Sequence, residues 1–105
     1  MQHRFSAPLW TTPGPTPWFF VTVPEDLSDE IDELSRGRQG GFGSVRVEVT
    51  VGSTTWRTSL FPSREHAAYV LPVKRQVRAC EALAAGGPVA VALRLLDGAA
   101  AGLPG

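Results

Sequence analysis

Cysteine is almost missing from this chain: Cys80 stands alone, so no disulfide can close within it. That fits a reducing compartment, and the chain reads as cytoplasmic. Lysine is just as scarce, with Lys74 the single one, and the formal net charge is zero. A protein that tracks a phosphate backbone needs a cation for each phosphate it neutralises, so the zero balance makes nucleic acid an unlikely partner. Long apolar runs are also lacking. No stretch nears the roughly 18 residues of a membrane helix, and Met1 to Phe5 has no signal-like apolar core, so no membrane role is expected.

What is present is globular. The chain has 105 residues, 43% apolar and 19% charged, which is neither the size of two domains nor the composition of a disordered chain. Abundant Arg, Ala, Gly, Val and Pro is what a GC-rich bacterial genome tends to encode. The acids crowd into one segment, Glu25, Asp26, Asp29, Glu30, Asp32 and Glu33, which reads as the wet face of a helix.

Periodicity divides the rest. Phe5, Ala7 and Leu9 alternate within a strand from Arg4 to Trp10, which Pro8 marks as an edge or an early end. Three prolines and Gly14 make Thr11 to Pro17 a loop. Trp18 to Val23 is a strand whose continuous apolarity predicts cover on both faces. A helix follows, with Leu27, Ile31 and Leu34 on its apolar face and Gly37 as its stop. After the glycine-rich segment 38–43, Val45, Val47, Val49 and Val51 alternate with polar residues. Gly52-Ser53 then predicts a hairpin with positive φ at its first residue, returning through Thr54 to Phe61. A short strand, Ala68 to Leu71, precedes a second helix over Lys74 to Ala84, and Val89 to Leu96 is the last strand.

About six short strands must each bury one face, and a barrel does this while removing sheet edges. The expected fold is therefore all-β: a small closed or nearly closed barrel with two short helices, the acidic one capping an end. A two-layer α+β sandwich is the alternative. Residues 1–96 form the single domain and 97–105 a flexible tail.

Four segments in order carry a family resemblance: Trp18 to Pro24, Val45 to Val49 behind the glycines, Trp56 to Pro62, and Tyr69 to Lys74 with Val77-Arg78 following. Together they resemble a small bacterial β-barrel domain of unknown function, often fused to a YdeI-like, OmpD-associated "bacteriocin-protection" domain. The resemblance spans Phe5 to Leu96 and implies a barrel with a pair of helices, but no activity. One departure is that Gly87-Pro88 stands where relatives usually carry Gly-Asp.

The candidate chemistry begins with Lys74, Arg75 and Arg78. Lys74 and Arg78 are four apart, so a helix would place both on one face to clamp a phosphate or carboxylate. The bland alternative is a solvated face that pairs with the acidic helix. Trp18, Trp56 and Tyr69 are expected to back this mouth. The aromatics as a set (Trp10, Trp18, Phe19, Phe20, Trp56 and Tyr69) read first as core filling, since no basic residues are interleaved with them. Ser59, Ser63, Glu65 and His66 include hydrolase residue types without a nucleophile elbow, so no catalytic residue is assigned. His3, His66 and Cys80 match no metal-site spacing, and Cys80 reads as a buried helix residue. Gly37, Gly40, Gly41 and Gly43 lack the ending of a phosphate loop. No cofactor or metal is implied. The expected function is a non-catalytic binding module for a small anionic ligand or an acidic peptide of a protein partner. Single-stranded nucleic-acid binding is the alternative, and a hydrolase is a more distant one.

Overall fold

The computed structural model describes residues 2–37 and 43–96. The expected tail at 97–105 and most of the glycine-rich segment lie outside the described residues. Among those described, the order is β1 (Gln2–Thr11), β2 (Phe19–Thr22), α1 (Glu25–Leu34), β3 (Val45–Val51), β4 (Thr54–Ser63), β5 (Ala68–Pro72), α2 (Arg75–Cys80) and β6 (Pro88–Leu95). The strands close into a barrel in the order β1-β2-β5-β4-β3-β6, and every neighbouring pair is antiparallel.

Period-two alternation builds this wall. Val45, Val47, Val49 and Val51 all point inward from β3, facing Leu9, Val21, Leu60, Leu71, Val89, Val91 and Leu93 from the other strands. A six-stranded barrel is narrow, and branched aliphatic side chains fill it. That explains the first correction. Trp10, Trp18 and Phe20 are not core residues; they occupy the outward positions of β1 and of the β2 segment, and Trp18 is 65% exposed. The outer face of the β2 segment is only partly covered, with Phe20 and Thr22 half-buried beside Trp10, and Trp18 exposed.

Turn chemistry sets the register. Gly52 has φ +59°, and the two-residue turn locks Val51 opposite Thr54. Pro8 does not end β1. It lies opposite Pro88, where neither residue has an N–H to contribute, and just beyond it β1 changes partner from β6 to β2. Pro62 likewise lies within β4, opposite Tyr69.

The helices close opposite ends. α1 leaves β2 at the end where β1 and β5 begin, and it lowers Ile31 into the core with no exposed surface. Its buried stripe is Ser28, Ile31 and Ser35, with Leu27 partly buried, whereas Leu34 is left exposed. α2 follows β5 at the other end and is much shorter than Lys74 to Ala84. The Leu83 N–H bonds the Arg78 carbonyl and the Ala82 N–H bonds the Ala79 carbonyl, with Ala82 at φ +53°. This is a Schellman stop built on alanine instead of glycine, so no glycine signals it. Ending the helix there turns Leu83 back against the core. Cys80 is exposed, not buried. No helix among the described residues is long and apolar enough to cross a membrane.

Candidate functional site

The wall of the barrel has a weak seam between β4 and β5. β4 pairs with β3 over its whole inner length, from Thr54 to Leu60, but meets β5 only at Phe61↔Val70, Pro62↔Tyr69 and Ser63↔Ala68. Continued by two residues, that ladder would face Ser59 with Pro72, which has no N–H to donate. β5 stays with β2 instead: Phe20 pairs with Pro72, and the Val73 N–H bonds the Phe19 carbonyl at 2.9 Å. Strands β4 and β5 therefore part toward the α2 end.

A cavity of about 220 Å³ lies in this parting. Trp56, Arg57 and Thr58 line it from β4, Pro72, Val73 and Lys74 from β5 and its exit, Arg78 from α2, and Trp18 and Phe19 from the β2 side. No aspartate or glutamate is among these residues. Lys74 is the extended residue before α2, not a member of it, yet it shares the cavity with Arg78. Arg78 is fixed. Its Nε donates to the Val73 carbonyl at 3.2 Å, and its guanidinium lies 3.6 Å from the centre of the Phe19 ring. A guanidinium stacked on a ring and tied to a carbonyl has lost little freedom still to lose on binding an anion.

Four of the six expected site residues thus meet: Lys74, Arg78, Trp18 and Trp56. Arg75 is exposed on α2 and does not line the cavity. Tyr69 is elsewhere. It is buried near the α1 end, where its hydroxyl donates to Asp32 at 3.1 Å, and it lines a separate cavity of about 240 Å³. The alternation of Tyr69 to Val73 places it four residues, a long step in a strand, from Val73 at the mouth. The expected pairing of the basic cluster with the acidic helix does not occur, because the two helices cap opposite ends. Among the described residues Lys74, Arg75 and Arg78 have no carboxylate within ion-pair distance. Arg57, Phe19 and Thr58 were not foreseen. Their signal is visible only once the β4–β5 register is known.

Arg57 has a second attachment. Glu48 on β3 is cross-strand partner to both Arg57 and Arg94, accepting from Arg94 Nε at 2.9 Å and from Arg57 Nε at 3.4 Å. The Arg94 hydrogen bond, opposed by partial desolvation and helped by Arg57, holds the Glu48 carboxyl below the usual range.

The hydrolase residue types partly meet as well. Ser63 Oγ and His66 Nδ1 are 2.9 Å apart. Yet Ser63 Oγ also accepts the His66 N–H at 3.4 Å, and Glu65 reaches the same Nδ1 at 4.0 Å. This is a hydroxyl closing a tight turn. A catalytic base needs its orienting group on the opposite ring nitrogen, and His66 Nε2 has no protein partner among the described residues. Ser59 lies on β4, away from this turn. His3 is buried on β1 with Nδ1 3.8 Å from Glu30, at the end opposite Cys80. Among the described residues no three His, Cys, Asp or Glu side chains form a metal-holding group.

No curated protein shows significant similarity to the chain. A family match covers residues 5–93, nearly the whole barrel from the middle of β1 to the middle of β6. The chain belongs to the family described as domain of unknown function DUF1905.

Proposed function

We propose that this protein is a non-catalytic binding module whose cavity at the α2 end takes a small anion or the acidic tip of a peptide. One observation carries the reading: Arg57, Lys74 and Arg78, from three separate elements, line one cavity that no carboxylate lines. Lys74 and Arg78 have no carboxylate within ion-pair distance among the described residues, and Arg57 shares Glu48 with Arg94, so an anion between the three relieves their mutual repulsion. The cavity volume is below the range usual for drug-sized ligands, which favours a phosphate or carboxylate group over a large molecule. The exposed, unpaired Cys80 is compatible with a reducing cytoplasm, where we place the protein.

The test is thermal unfolding of the protein with inorganic phosphate, succinate or a glutamate-rich peptide, repeated on Arg78→Ala and Lys74→Ala. A ligand bound only by the folded state raises Tm with concentration. The wild-type Tm should climb and that of Arg78→Ala should stay level. Equal responses in both proteins would remove the site.

A further inference from the structure

The wall of the cavity that faces outward is Trp18, and this side chain is unusual for a surface residue. It is 65% exposed, the most exposed large apolar side chain among the described residues. Its backbone is held on both sides. The Trp18 N–H donates to Thr12 Oγ1 at 2.9 Å, and the Thr12 N–H donates to the Trp18 carbonyl at 3.0 Å. Between those residues the loop holds Pro13, Pro15 and Pro17, which restrict its backbone further. The indole is nearly parallel to Phe20, with centroids 6.4 Å apart and 12° between planes. Phe20 in turn contacts Trp10 at 5.1 Å, and Trp10 is anchored by Nε1 donating to Thr22 Oγ1 at 2.8 Å. The result is a tryptophan with a fixed backbone and a near-parallel ring alongside it, much of its surface open, and Lys74 and Arg78 in the same cavity.

A flat, pre-positioned aromatic surface beside unpaired cations matches a ligand that is flat and negative at once. We infer that the anion received by the cavity belongs to a molecule that also bears a planar aromatic ring, which stacks on Trp18 while the phosphate or carboxylate meets Lys74 and Arg78. The inference rests on the anion-binding reading above and names its ligand class. Stacking on an exposed indole whose backbone is already ordered is favourable, and it tolerates many rings because each has a π face. A ring and a phosphate in one molecule occur both in free aryl phosphates and, joined through a sugar, at the phosphorylated end of a nucleic-acid strand.

Calorimetric titration of the intact protein with inorganic phosphate, phenyl phosphate and a 5′-phosphorylated oligothymidylate tests this, on wild type, Trp18→Ala, Trp18→Phe and Arg78→Ala. Phenyl phosphate should bind about tenfold or more tighter than inorganic phosphate. Trp18→Ala should erase that advantage, so that phenyl phosphate and inorganic phosphate bind that variant equally, and Trp18→Phe should restore most of it. Tighter binding of the oligonucleotide than of phenyl phosphate, with the same dependence on Trp18, assigns the source to a strand end; weaker binding assigns it to a free small molecule. Equal affinity for phosphate and phenyl phosphate, or an advantage that survives Trp18→Ala, overturns the aromatic inference and leaves the anion site standing. No binding of any probe overturns both.

Discussion

The two ends of this barrel are closed by the same kind of element to opposite effect. At one end α1 seals. Ile31 is fully buried, and Ser28 Oγ donates to the Val23 carbonyl while accepting the Tyr69 N–H at 3.0 Å. The Tyr69 hydroxyl then reaches Asp32 on the same helix. β4 and β5 are hydrogen-bonded beneath it. At the other end α2 buries Val77 but stands beside the parted strands, and Glu81, the residue that caps its C-terminus, is clipped to the β3–β4 hairpin by Thr54 and Ser53. Buried hydrogen bonds and aliphatic contacts make a plug at the first end. Rim contacts at the second hold a helix in place without filling the gap under it. Cations therefore collect at the second end, where water still reaches them.

Truncations should break this contrast in order of burial. Ile31→Ala should cost about 2–5 kcal/mol of unfolding free energy, since the cavity beneath a plug cannot collapse. Leu34→Ala, on the exposed side of the same helix, should change stability by less than about 0.5 kcal/mol. Denaturant unfolding of the two variants measures this directly, and similar losses would mean that α1 does not plug the barrel. Ser28→Ala comes next, at about 1–3 kcal/mol, because the buried Tyr69 N–H would lose its acceptor. At the open end Glu81→Ala removes hydrogen bonds from Thr54 and Ser53 that are partly exposed, so the loss should be about 0.5–1.5 kcal/mol by the same measurement. A larger loss for Glu81→Ala than for Ser28→Ala would reverse the assignment of plug and bracket.

The plug was more legible than the bracket. Strands β1, β3 and β6 could be located from alternation, β2 and β5 from runs of β-forming residues, and the acidic helix announced itself by its charges and by Ile31, because burial of one face is a local property with a local period. The closed barrel followed from the number of short strands. Three things were not local. The aromatic residues have the same β preference whether they point in or out: Phe19 packs against the core while Trp18 and Phe20 face outward, and a run that is apolar throughout has no alternation to tell them apart. The end of α2 was invisible because Ala82 takes the left-handed position usually marked by glycine. The spacing of Lys74 and Arg78 suggested a shared helix face, and the two do share a cavity, but through a strand exit and a helix. Arg57 joins them only because β4 and β5 separate, which depends on Pro72 standing where a ladder donor was needed.

The smallest effect links the strand wall to the open end. Glu48 binds Arg94 and Arg57, and Arg57 also lines the cavity, so this carboxylate competes with any anion there for one guanidinium. Its carboxyl is held below the usual range in the folded protein. The stabilisation it supplies is therefore fully present above the unfolded value, near about 4.3, and disappears as pH falls through the folded value. The stability difference between wild type and Glu48→Gln should be small, constant at neutral pH, and should fade as the solution is acidified below about pH 4. Added salt should shrink it at every pH. At neutral pH the same variant frees Arg57, so calorimetric titration with inorganic phosphate should show tighter binding than in wild type, while Arg94→Gln, which leaves the Glu48–Arg57 pair in place, should not. An unchanged phosphate affinity in Glu48→Gln would mean that Arg57 faces the cavity without contributing charge to it, reducing the cationic set at the mouth to Lys74 and Arg78.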